Sequence, residues 1–330
     1  MTIHSPSRRR FATGLALAPF AASSVGSAFA QRALPKAITF VVPQAAGGSN
    51  DVMARAGAAR LPHFLGANVV VENKPGAGGN LGSAWVAKSA PKDGSTWMVT
   101  VNSAQTINPA LYRNTGFDPI NDFEPVSGIA VVQHALLATP SLPANNLAEL
   151  TALARREPDK YSFGSAGNGS FAHLLMEVFK KQQGVQMTHV PYKGVAPALT
   201  DLIAGNLHVL VSTIPACLQF IKSGQVKALA VPSQQRAAAL PNVPLAKDTV
   251  PGLSGDLWVA VYAPKGVARE QIEQMRGAVA DVIAMPEMST FFNAQGASAL
   301  KAGPAELLAM TKEELEKWAP IVKAAGMRVD

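Results

Sequence analysis

Short runs rich in Val, Ile and Leu alternate with segments of helical period along most of the chain, and this alternation restricts the fold more than any other feature. The strand candidates are Ile38–Val42, Val69–Glu72, Thr96–Val101, His134–Thr139, Tyr161–Ser165, Gln186–Val190, His208–Ser212, Lys227–Val231 and Leu257–Tyr262. Several are continuous apolar runs, as strands buried on both faces require. Helical segments lie between them. Asp51–Phe64 follows Ser49 and Asn50 and stops before Gly66; Ser170–Gln182 opens on a serine cap and stops before Gly184. Ala196–Ala204 stops before Gly205, Pro215–Ser223 before Gly224, and a last helix runs from Pro304 to just before Gly326. This grammar predicts an α/β protein with mostly parallel sheets.

A chain of 330 residues suggests two domains. No repeat and no low-complexity linker separates them, so the expected arrangement is discontinuous: two lobes with the chain crossing between them twice. Crossings near Leu136–Ala138 and Ala228–Pro232 put residues 31–136 and 230–330 in the first lobe and residues 137–229 in the second.

The N-terminus reads as an export signal over residues 1–30. Arg8, Arg9 and Arg10 precede an apolar run from Phe11 to Phe20, and Ala28-Phe29-Ala30 fits a small-residue cleavage site. A retained anchor is the alternative, but Ser, Gly, Thr and Pro interrupt a run that falls short of about 20 apolar residues. The arginines resemble a twin-arginine signal, with Sec export as the other route. Cleavage after Ala30 removes three arginines and no acid, which lowers the formal charge from +7 to +4. The lone cysteine, Cys217, is far from the cleavage site, so neither lipidation there nor an internal disulfide is expected. The mature chain is expected to be soluble, periplasmic and monomeric. The charged fraction of the full chain, 15%, is well below the usual value of about 25%. Export and the lack of basic–aromatic clusters argue against nucleic-acid binding.

Catalytic signatures are missing. No serine lies in a G-x-S-x-G elbow, and there is no H-E-x-x-H, C-x-x-C or phosphate-binding loop. The histidines are scattered singly. Gly76-Ala77-Gly78-Gly79-Asn80-Leu81-Gly82 imitates a dinucleotide fingerprint with the wrong spacing. A close backbone approach accounts for it, so no cofactor and no metal is expected.

Three strand-to-helix loops share another design: Pro43 to Asp51, Ser165 to Ser170, and Pro191 to Val195. Ligands of open α/β sheets bind beyond the carboxyl ends of strands, and free N–H groups at a helix start favour an anion. Ordinary turn and capping chemistry explains any one such loop equally well. Three together suggest a small carboxylate held between lobes. Asp51 is odd beside an anion; an acid in the first turn of a helix is favourable by itself, so a structural role is expected for it.

The wording of these loops carries a resemblance. Ile38-Thr39-Phe40-Val41-Val42-Pro43, Gly47-Gly48 and Asp51, Glu72-Asn73-Lys74-Pro75-Gly76, Ser165-Ala166-Gly167-Asn168-Gly169 and His189-Val190-Pro191-Tyr192-Lys193-Gly194 stand in order. With the ending around Trp318, they resemble the periplasmic receptors of tripartite tricarboxylate transporters, also called the Bug family. The resemblance implies a type II periplasmic binding protein fold, two Rossmann-like lobes joined by a two-crossing hinge that close on a ligand. It implies no enzyme, but a receptor for a small organic carboxylate, with permease subunits as partners. A secreted enzyme acting on a small carboxylate in the same cleft is the alternative.

By this resemblance a pincer of two loops holds a carboxylate: Ala46, Gly47, Gly48, Ser49, Asn50 and Asp51 in one, and Tyr192, Lys193 and Gly194 in the other. Asn102, Ser103, Thr106, Ser165, Gly167, Asn168, Ser170, His173 and Ser212 would line the same cleft. Gln44, Ser49-Asn50 and Val195 depart from common family wording within or beside the pincer, so ligand identity does not transfer.

Overall fold

The computed structural model describes residues 1–3, 33–324 and 326–328. The chain divides into Met1–Gln31 and Arg32–Asp330, and the architecture below is that of the second unit. The leader expected over residues 1–30 lies outside the described residues apart from its first three.

The elements run β1 (Ala37–Val42), α1 (Ser49–Ala58), α2 (Leu61–Leu65), β2 (Asn68–Asn73), α3 (Asn80–Ser89), β3 (Thr96–Val101), α4 (Asn102–Thr106), α5 (Asn108–Leu111), β4 (Phe123–Val132), β5 (His134–Ala138), α6 (Leu147–Arg156), β6 (Ser162–Ser165), α7 (Phe171–Gln183), β7 (Thr188–Pro191), α8 (Val195–Ala204), β8 (Val209–Thr213), α9 (Ile214–Lys222), β9 (Lys227–Ala230), β10 (Leu257–Pro264), α10 (Arg269–Ala284), α11 (Pro286–Ala294), β11 (Ala297–Ala299) and α12 (Pro304–Ala324). They build two sheets: six strands in the order β11-β4-β10-β3-β1-β2, and five in the order β7-β6-β8-β5-β9. Helices cover both faces of each sheet. Every residue of β3 is buried, because α1 and α10 pack on one face of the first sheet and α3 and α12 on the other.

The sheets are mixed rather than mostly parallel. β1, β2 and β3 are parallel, as are β6, β7 and β8. The hinge-connected strands β4, β5, β9 and β10 bring in the antiparallel pairs. A strand that arrives from the other lobe enters at the carboxyl ends of its parallel neighbours and must run against them. The first crossing is short: β4 ends at Val132 and β5 begins at His134, so Leu136–Ala138, where a crossing was expected, lie inside β5 of the second sheet. The second is the long segment between β9 and β10. The single helix expected over Asp51–Phe64 is two. Pro62, in the first turn of α2, has no N–H and its ring clashes with the preceding turn, so the chain breaks after Ala58.

Strand register fixes where the lobes meet. Leu257 at the start of β10 pairs with Val132 at the end of β4, and Val259 pairs with Val101 at the end of β3. In the second sheet His134 at the start of β5 pairs with Thr213 at the end of β8. The crossings therefore lie at the carboxyl ends of the parallel strands in both sheets. The loops after β1 and β3 and those after β6, β7 and β8 therefore leave their sheets at the ends where the chain crosses between the lobes.

Candidate functional site

The loop after β1 is organised by Asp51. Its carboxylate is 3% exposed and accepts the Gly47 N–H at 2.9 Å, the Asn73 Nδ2 at 2.9 Å and the Arg55 Nε at 3.1 Å, with Arg55 Nη2 3.0 Å away. Burial pushes its pKa up, but the Arg55, Gly47 and Asn73 hydrogen bonds and the Arg55 charge outweigh it and hold the carboxyl below its usual range. Asn73 also donates to the Gln44 carbonyl at 3.1 Å. Asn50 is buried and donates to the Gln44 side chain, whose amide reaches Thr100 at 3.4 Å. Asp51, Asn50 and Gln44 thus shape the loop from behind.

This framework leaves a helix start open. Gly48 caps α1 without a side-chain hydrogen bond, and Gly47 takes the left-handed φ of 84° that admits glycine most readily. Ala46 is exposed, and the half-buried Ser49 hydroxyl makes no hydrogen bond among the described residues. The first amides of α1 point outward with the positive end of the helix dipole.

The loop after β7 repeats this arrangement from the other lobe. Gly194, at φ 115°, starts α8, again without a side-chain cap. Lys193 is exposed. Tyr192 is engaged elsewhere: its hydroxyl donates to Asp201 at 2.7 Å, and burial and that carboxylate push its pKa up to about 12.

The loop after β6 is held from below. Ser170 caps α7 by accepting the His173 amide at 3.4 Å. The buried Ser165 hydroxyl donates to the Gly167 carbonyl at 2.9 Å, receives the Gly167 N–H at 3.1 Å and lies 2.7 Å from His189 Nε2. His173 Nδ1 accepts the Gly169 N–H at 3.1 Å, and the two imidazoles stack with centroids 3.7 Å apart. Asn168 is exposed at the tip. Burial, then Lys180, lowers His173 to about 4; burial, His173 and Lys180, opposed by Glu177, lower His189 to about 4.

After β3 the expected lining residues divide. Ser103 is half-buried; its carbonyl accepts the Ile107 N–H at 3.0 Å, and its hydroxyl makes no hydrogen bond among the described residues. Asn102 Nδ2 donates to both oxygens of Glu314 at 3.0 Å, and Thr106 Oγ1 donates to Glu314 Oε2 at 2.9 Å. Trp258 Nε1 donates to Glu314 Oε1 at 2.8 Å. Asn102 and Thr106 thus tie α4 and β10 to α12, and burial holds Glu314 above its usual range despite these bonds. Ser212, expected after its strand, is the penultimate residue of β8; it is buried and donates to the Thr213 carbonyl at 3.2 Å.

The glycine-rich stretch that runs into α3 serves packing through Gly82, in the first turn of the helix. A Cβ on Gly82 would lie 2.5 Å from the Lys74 carbonyl and 2.8 Å from Pro43 Cα. Sequence reasoning missed Gln44, Arg55, Asn73, Trp258 and Glu314. The Asp51–Arg55 pair was visible as an i,i+4 spacing; Glu314, more than 200 positions from Asn102, left no local signal.

The family model described as "Tripartite tricarboxylate transporter family receptor" matches residues 53–327. Protein BugT of Bordetella pertussis is 34% identical over 294 residues, covering 88% of this chain and 90% of that protein. Among solved structures, R. palustris Rpa4515 with adipate is 34% identical, with 89% of this chain and 98% of that one covered at a TM-score of 0.79. MatC from Rhodopseudomonas palustris with bound malate is 28% identical, with 87% and 98% covered at a TM-score of 0.75.

Proposed function

Because the chain belongs to the tripartite tricarboxylate transporter receptor family, we propose that it captures a small organic carboxylate between its lobes. One observation carries the reading: α1 and α8, one in each lobe, start at glycines without side-chain caps, on loops that open onto the same cleft. Their amides supply a ring of donors that suits a carboxylate. We assign Gly47, Gly48 and Ser49 in the first lobe and Gly194 in the second as direct contacts, with Ser103 and Asn168 nearby. Asp51, Asn50, Ser165, His173 and Tyr192 position these loops. Asn102 and Thr106 act through Glu314, behind the cleft.

A hydrogen bond to a charged group contributes about 1.5–3 kcal/mol. Four or five of them, less the ordering of ligand and lobes, leave roughly 8 kcal/mol, or micromolar affinity. The ligand favours the closed state because it touches both lobes, so closure is a hinge motion about Gln133 and the β9–β10 segment. The related adipate and malate complexes support dicarboxylates as the first ligands to test. Delivery to permease subunits, export by the N-terminal leader and lobes bounded at Gln133 and after Ala230 belong to the same reading.

The test is a thermal-shift panel of mono-, di- and tricarboxylates, followed by calorimetry. At least one should raise the midpoint, and Ser49→Ala should weaken it without lowering the midpoint of the free protein. No shift at millimolar concentration of any carboxylate would end the proposal. Consumption of the bound compound would point to an enzyme instead.

A further inference from the structure

The loop after β6 is fastened at two points to two stacked imidazoles, and the fastenings differ in how they tolerate a proton. Ser165 Oγ lies 2.9 Å from the Gly167 carbonyl and 2.7 Å from His189 Nε2; with the hydroxyl hydrogen on the carbonyl, His189 in its Nε2–H form donates to Ser165 Oγ. A second proton on His189, at Nδ1, would leave that bond in place. His173 differs: its Nδ1 is an acceptor for the Gly169 N–H, so its proton is on Nε2, 3.9 Å from Glu177 Oε1. A proton added at Nδ1 would set N–H against N–H and abolish the bond. Gly169 also touches the other lobe, since a Cβ there would run into the Leu111 side chain of α5.

We infer that His173 is a proton-sensitive positioning residue for the loop after β6: neutral, it holds Gly169 in register against Leu111 of the other lobe; protonated, it lets this part of the cleft go. This deepens the carboxylate-receptor reading and rests on it for its effect on affinity.

The groups facing the pair are Glu177 and Lys180 on α7 and the Phe163 ring on β6. Lys180 binds Glu177 at 2.8 Å and stands 5.6 Å over Phe163, so Glu177 is largely neutralised. The Phe163 ring stacks on His189 at 4.9 Å. At a centroid spacing of 3.7 Å, two cations would repel strongly, so the pair accepts one proton at a time. Burial, then Lys180, holds His173 at about 4 in the folded protein, whereas a histidine open to water titrates near 6.5. The folded value is the lower one, so the fastening is complete above about pH 6.5 and weakens as the pH falls toward 4.

The test compares wild type with His173→Asn, whose side-chain oxygen can stand where Nδ1 stands and accept the amide without titrating. Adipate affinity is measured from pH 7 to about pH 4.5, and the variant-to-wild-type ratio cancels the titration of adipate itself. One-proton linkage allows at most about tenfold per pH unit; the wild type should lose about tenfold more affinity than the variant over this range. Parallel profiles would overturn the inference. Hydrogen exchange at the Gly169 amide, corrected for the intrinsic rate, is read on the ligand-free protein. Protection should fall with acid in wild type alone; constant wild-type protection overturns the inference even if His173→Asn does not fold. If adipate does not bind but protection still falls in wild type alone, the fastening stands and the carboxylate reading fails.

Discussion

Replacing Asp51 by alanine separates a residue that shapes the cleft from one that contacts the ligand. The carboxylate gathers the Gly47 amide, the Asn73 amide and the Arg55 guanidinium within 3.1 Å. Hydrogen bonds to a charged group contribute about 1.5–3 kcal/mol each. The Arg55 side chain is 51% exposed, so its share is screened to under about 1 kcal/mol. Gly47 is exposed and its freed amide can rehydrate, which lowers the loss further. The expected net destabilisation is about 2–3 kcal/mol. For a chain near 300 residues, the unfolding entropy turns this into a Tm lower by roughly 3–5 °C. Carboxylate affinity should fall about tenfold as well, because Gly47 loses its anchor. Asp51→Asn keeps one acceptor and should fall between. Differential scanning calorimetry with titration calorimetry reads both quantities. A Tm within about 1 °C of wild type would refute the reasoning, and lost binding at unchanged Tm would place Asp51 on the ligand itself. The pH dependence has a definite sign. Asp51 is held below its usual range, so its contribution is present above about pH 4 and is lost as the pH falls through the lowered value.

Gly82→Ala, measured by urea denaturation, should cost at least about 2 kcal/mol, since the new methyl meets the backbone of Lys74 and Pro43. Glu314→Ala strands the Trp258 indole N–H and leaves the Asn102 amide with the Asp256 carbonyl alone. It should destabilise by about 3 kcal/mol and shift tryptophan emission, and an unchanged spectrum would argue against the bond. His134 is 5% exposed and held at about 4 by burial. Its share of the stability, on the order of 3 kcal/mol at most, is present above about pH 6.5 and lost as the pH falls toward 4; His134→Leu should flatten that part of the pH–stability curve in chemical denaturation.

Local grammar made much of the fold legible. The Gly66, Gly184 and Gly205 stops hold as left-handed helix ends, and Ser170 is the cap it looked like. β4 was illegible because Pro125 and Gly128 interrupt a run that otherwise reads as a strand. Gly128 is needed there: its N–H donates to the Ala302 carbonyl at 2.8 Å, and a Cβ would lie 2.5 Å from the Leu300 carbonyl. At the candidate site, the glycine loops were visible because they obey rules of neighbouring residues. What stands behind them was not, because Asn102 with Glu314, and Gln133 with Ser233, are side-chain pairs between distant segments. A polar residue at a strand end looks the same in sequence whether it faces the cleft or braces its frame.

α12 packs on β4, α4 and α5 in the first lobe and on α7 in the second, where Trp318 meets the edge of the Phe171 ring at 5.8 Å. Two strand crossings alone would leave the lobes free to swing, twist and slide. A rigid rod laid across both restricts twist and slide, because either would drag it over side chains it already interlocks with. The swing remains, and Pro320, which removes one rung of the helix just past Trp318, gives the rod a bend point where that motion can be absorbed. On the proposed reading, a ligand that draws the two glycine loops together works along this one remaining swing, and little of its binding energy is spent on other motions.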